Sequence, residues 1–111
     1  MKIYDINNNE YEIQEVEDTG WVQITTGIKA RKRNEIVTLI FQVDISATSG
    51  AWVTLGTLPE QFTPNEVIFC ILSVNTNNPQ TQANIQITSY NEIRAIAGVT
   101  SQYIGSITYP V

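Results

Sequence analysis

The sequence predicts an all-β fold: a single antiparallel β-sandwich or jelly-roll-like domain preceded by an acidic N-terminal arm. Three observations predict it. Apolar residues recur with a period of two from residue 20 onward, as in "NEIVTLIFQVDI", where Val37, Leu39, Phe41, Val43 and Ile45 form one row. Successive side chains of a strand point to opposite faces, so this row faces a core. Short runs of this kind are separated by Gly, Pro, Asn and Ser at regular intervals, the punctuation of a sandwich or barrel. No window of comparable quality has helical spacing, and β-branched residues abound.

The elements follow in order. Residues 1–18 read as an arm or linker, and residues 19–111 as the β-domain. The arm sets Lys2 against Asp5, Glu10, Glu12, Glu15, Glu17 and Asp18, which accounts for the whole net charge of -5. The remainder is neutral. Strands are predicted at 21–26, 35–45, 51–56, 65–74, 82–90, 92–97 and 102–109. Gly27, "SATSG", "LPEQFTP", "NTNNPQT" and "AGVTS" supply the breaks between them. The basic run "KARKR" at 29–33 reads as a solvated hairpin tip, with a phosphate patch as the alternative.

Pro59 and Pro64 cannot donate to a strand ladder, so they flank strands rather than sit within them. "GTLPEQFTP" is therefore a corner, predicted to carry the chain from one sheet to the other, with Leu58 and Phe62 tucked beneath it. The strand it feeds is apolar on both faces: Ile68, Cys70, Leu72 and Val74 on one, Val67, Phe69 and Ile71 on the other. A sandwich covers only one face of each sheet. Either a neighbouring subunit or a folded-over loop covers the second, and Ile36 and Ile40 on the even face of 35–45 make the same point. The expected subunit interface comprises Ile36, Ile40, Ile68 and Leu72.

Composition bounds the chemistry. With 111 residues, 42% of them hydrophobic, the chain can bury one core. The lone Cys70 excludes an internal disulfide, and its apolar surroundings read as burial rather than reactivity. The absence of histidine removes the commonest general base, the Ser-His-Asp arrangement and the usual zinc sites. Glu35, Asp44, Glu60, Glu66 and Glu92 form no recognisable glycosidase pair. No enzyme, metal or cofactor is therefore expected. "DINNNE" at 5–10, the one calcium candidate, reads more simply as an Asn-rich linker. A neutral body behind an acidic leader is a poor nucleic-acid binder. The start lacks the apolar stretch of a signal peptide, and no apolar run is long enough to span a bilayer.

A saccharide site needs an exposed aromatic plate with amides around it. Trp52 lies opposite the Ala51, Val53, Leu55 row and is a candidate plate, the alternative being a core or intersubunit tryptophan. Asn75, Asn77, Asn78 and Gln80 form an amide-rich loop suited to sugar hydroxyls, although Asn-Asn-Pro is also plain turn chemistry. Trp21, beside Gly20, reads as a structural anchor where arm meets body.

Gly20-Trp21, the basic stretch 29–33, the corner from Leu55 to Pro64 and the closing "IGSITYPV" together resemble the C-terminal β-sandwich head domain of phage tail-fibre and baseplate structural proteins. The resemblance spans residues 20–109. It implies a virion protein, made in the host cytoplasm and usually trimeric, at the distal end of a tail among other tail and baseplate proteins. It further implies contact with saccharides of the host envelope, but it carries over no ligand residue by position. The long stalk usual in such proteins is not part of this sequence, which fits an excised head or a short stand-alone protein. A purely structural trimerisation module is the alternative.

Overall fold

The structure is a computed structural model describing residues 2–4, 10–12, 17–74 and 81–111. Strands β1 (Lys2–Tyr4) and β2 (Glu10–Glu12) pair antiparallel as a separate two-stranded ribbon, Lys2 opposite Glu12. The body comprises β3 (Val22–Thr25), β4 (Ile28–Arg33), β5 (Ile36–Ile45), β6 (Val53–Thr57), β7 (Ile68–Val74), β8 (Gln82–Ile87), β9 (Glu92–Ala97) and β10 (Ser101–Pro110). A single 3-10 turn, Glu60–Phe62, interrupts them, and no α-helix occurs among the described residues. None of their helices is long and apolar enough to cross a membrane.

All-β, antiparallel architecture is therefore what the alternation predicted. The strands do not divide into two hydrogen-bonded sheets, however. They form one eight-stranded sheet in the order β3-β4-β5-β10-β7-β8-β9-β6, which curls until its edge strands approach. At the seam Gly56 of β6 lies so close to β3 that a Cβ there would stand 3.1 Å from Thr25 Cγ2. The absence of a side chain lets the edges meet. This is a nearly closed, barrel-like sheet.

Its interior is the odd row of β5 together with Ile28 and Ala30, Leu72 and Val74, Ala83, Ile85 and Ile87, Ile93 and Ala95, Tyr103 and Tyr109. The long antiparallel partner of β5 is β10, from the far end of the chain, paired from Ser101 opposite Ile45 to Pro110 opposite Ile36. Gly105 of β10 makes room for Leu72, whose Cδ2 would stand 2.7 Å from a Cβ at that position.

The corner behaves as predicted in one respect: Leu58 and Phe62 are buried. Its route differs. It leaves the edge strand β6 and enters β7, three strands further in, so it crosses an end of the curled sheet rather than joining two sheets. The Tyr109 hydroxyl donates to the Phe62 carbonyl at 2.6 Å, and Leu58 N–H donates to the Asn91 carbonyl at 2.6 Å.

Three further expectations are corrected. The "KARKR" run is not a hairpin tip but most of β4, with Ala30 fully buried. The tip is the two-residue turn Asn34-Glu35, with Asn34 at φ 54. Leu72, expected at a subunit interface, is wholly enclosed in this chain's own core, and Ile68 packs against that core. Both point inward because they share the parity of Val74. Only Ile36, 45% exposed, and the half-buried Ile40 lie on the outer face. Finally, Ile36 and Ile40, expected on a strand neighbouring 65–74, lie on β5, which β10 separates from β7.

Candidate functional site: an aromatic groove on the outer face

Strand parity that turns Ile68, Cys70 and Leu72 inward must turn Val67, Phe69 and Ile71 outward. They are 44%, 63% and 57% exposed. Register sets amides beside them: Ile71 pairs with Asn84 and Phe69 with Gln86. Across β8, Asn84 pairs with Ile96 and Gln86 with Arg94. Trp52, immediately before β6, approaches Phe69 over these strands, with ring centroids 6.4 Å apart and planes tilted by 57°. Trp52, Phe69, Cys70, Ile71 and Asn84 line an open groove of about 520 Å³.

Trp52 is therefore neither a core residue nor a free plate, but one wall of a half-open aromatic groove. The lining is apolar apart from the Asn84 amide. Opposite Phe69 on β8, Gln86 Oε1 is buried and accepts no hydrogen bond, so it is not open to a ligand in the groove. Cys70 is half-buried, and burial pushes its thiol up to about 11, so it carries little thiolate near neutrality. The arrangement suits a ligand with a flat apolar face and a few hydroxyls or amides.

The expected amide loop, Asn75, Asn77, Asn78 and Gln80, lies outside the described residues, as does most of the "DINNNE" segment. The carboxylates are scattered. Asp44 faces outward on β5, Glu92 opens β9 with its carboxylate 3.9 Å from Arg94, and Glu60 borders a polar hollow with Thr63, Asn65, Ser89 and Asn91. Among the described residues no three acidic, cysteine or histidine side chains gather.

A second outward cluster escaped the sequence reading. Trp21, read as a structural anchor where arm meets body, is 45% exposed. Lys29 Nζ stands 5.1 Å and Arg31 Cζ 5.9 Å from its ring centroid. Arg31 donates Nε–H to Asp18 Oδ1 at 2.9 Å, and its other terminus bonds Oδ2. That bond, with the Gly20 N–H donated to the same carboxylate, holds Asp18 well below the usual carboxylate range. The available signal was parity: Lys29, Arg31 and Arg33 are alternate residues and share one face.

No protein-family model matches the chain, and no curated protein is significantly similar to it.

Proposed function

We propose that the chain is a non-catalytic phage or prophage tail-fibre or baseplate head, which holds a host envelope saccharide in the groove between Trp52 and Phe69. The groove itself carries the reading. Two aromatic side chains in van der Waals range of a common ligand, over an exposed amide at Asn84, match what a pyranose offers: C–H faces for the rings and hydroxyls for the amide. The tail assignment is supported by the order of motifs from Gly20-Trp21 to the closing strand. The absence of histidine and the scatter of carboxylates support binding without catalysis. Neither nucleic acid nor membrane insertion enters this reading.

A glycan array probed with the purified chain, followed by titration of the best binder, tests the proposal. Trp52→Ala and Phe69→Ala should each weaken binding about ten-fold, the effect of losing roughly 1.4 kcal/mol of stacking. Phe69→Ala should leave the melting temperature nearly unchanged, since the ring is mostly exposed. Array silence, or variants that bind as the wild type does, would remove the saccharide assignment.

The same side chains favour a second reading, a structural trimerisation module. Phe69, Ile71 and Ile104 are exposed apolar residues on adjacent strands, and a subunit contact would cover them.

A further inference from the structure

The outer face of β4 is the most positively charged part of the body, and it lies away from the Trp52 groove. Four of the chain's six cationic side chains fall within residues 29–33. Parity sends Lys29, Arg31 and Arg33 to the outer face, because Ile28 and Ala30 occupy the core. Alternate strand residues stand about 7 Å apart, so the three cations form a row with a regular spacing. Asp18 neutralises one of them by its two-pronged bond to Arg31. Glu35 sits at the turn beyond Arg33, and Lys29 and Arg33 both remain exposed to solvent.

Two hollows follow this row. One of about 380 Å³ is bordered by Trp21, Arg31, Arg33, Asn34, Ile36 and Thr38. The other, of about 300 Å³, continues along the same strand pair beside Gln23, Lys29, Ile40 and Gln42. Trp21 borders the first of them, its ring attended by Arg31 and by Lys29, which lines the second. We infer that this strip is a second binding site, for an acidic glycan chain whose sugar stacks on Trp21 while its carboxylates or phosphates meet Lys29 and Arg33. An arginine already oriented by a carboxylate presents its remaining N–H groups at little further entropic cost. A cation row with an aromatic between its members fits alternating sugar face and anion. The choice of a glycan over other polyanions rests on the saccharide reading above; the anion site does not.

Isothermal titration at about 50 mM salt, where surface charges are weakly screened, separates the possibilities. The probes are tetragalacturonate, a phosphorylated mannan oligosaccharide, neutral dextran oligosaccharide and an oligothymidylate. At least one acidic glycan should bind the wild-type chain, and the tighter of the two identifies the anion. The Lys29→Gln, Arg33→Gln double variant should bind it about ten-fold more weakly, in line with the loss of two charge contacts. Trp21→Ala should weaken it several-fold, and Trp52→Ala should leave it unchanged although that variant weakens the array binding. Failure of both acidic glycans to bind overturns the inference, as does a double variant that binds normally. Tighter binding of oligothymidylate than of either glycan would assign the strip to nucleic acid instead, and loss of acidic-glycan binding in Trp52→Ala would show a single site.

Discussion

Two residues show how a single side chain, or its absence, holds this fold. Tyr109 is almost wholly buried, and burial drives its phenol far above the ordinary range, so it stays protonated and able to donate. Its hydroxyl ties the last strand to the Phe62 carbonyl across the corner. Tyr109→Phe leaves that buried carbonyl without this donor, and urea denaturation should register a loss of about 1–3 kcal/mol. A variant as stable as the wild type would mean the corner is held by Leu58 and Phe62 burial alone. Gly27 is the counterpart. It turns β3 into β4 at φ 82, and a Cβ there would stand 2.3 Å from the Gln42 carbonyl oxygen. Backbone strain alone predicts that Gly27→Ala costs about 1–3 kcal/mol, before the clash is counted. A denaturation midpoint unshifted in Gly27→Ala would contradict this geometry.

Among the elements, β4 is where the arm joins the body. Thr19 N–H donates to the Lys32 carbonyl at 3.0 Å, and Asn34 N–H to the Glu17 carbonyl at 2.6 Å, so residues 17–19 run alongside the basic strand. The expected boundary after residue 18 therefore falls within a paired segment. The Asp18 carboxylate reinforces it, and the sign of its pH dependence follows from its depressed pKa. A carboxyl held lower in the folded than in the unfolded chain contributes stability that is complete above the ordinary value of 3.8. The contribution fades as pH falls below that value toward the folded pKa. The pair is largely solvent-facing, so the effect is small. Thermal melts of the wild type and Asp18→Asn should differ slightly at neutral pH and converge in acid. A difference that grows as pH falls would reverse the assignment.

At the scale of the whole molecule, the unresolved economy is the outer face. Phe69 and Ile71 on β7 and Ile104 on β10 are exposed, while Ile36 and Ile40 lie across β10 on β5. Polar Ser73, Gln42 and Ser106 stand among them, so the apolar surface is broken rather than a single stripe. Each square ångström of it that a neighbouring subunit covered would contribute about 25 cal/mol. A closed symmetric trimer is the assembly expected on the structural reading, with Phe69, Ile71 and Ile104 replacing the inward Ile68 and Leu72 in its interface. Light scattering should give three times the chain mass at micromolar concentration. Ile71→Lys should lower that mass while strand circular dichroism persists, and Ile40→Lys tests whether the contact extends past β10. A stable wild-type monomer would sink the trimer.

What the sequence determined by itself was local. Alternation identified the inward row Val37 to Ile45 and the all-β class. It set Phe69 and Ile71 on the face opposite Ile68 and Leu72 without saying which face is the outer one, because parity fixes only relative side-chain direction along a strand. The prolines marked the corner, since a missing N–H is a property of the residue. Tertiary structure decided what depends on neighbours. Nothing local says that β10 separates β5 from β7, that the sheet curls until Gly56 meets Thr25, or that Trp52 reaches Phe69 across two intervening strands. "KARKR" looked like a tip because charge is the louder signal in that run, yet Ile28 and Ala30 find a core to enter only once β5 lies beside them. Trp21 became an outward aromatic by the same cause: pairing of Val22 with Ala30 sets its direction, and that pairing exists only in the folded sheet.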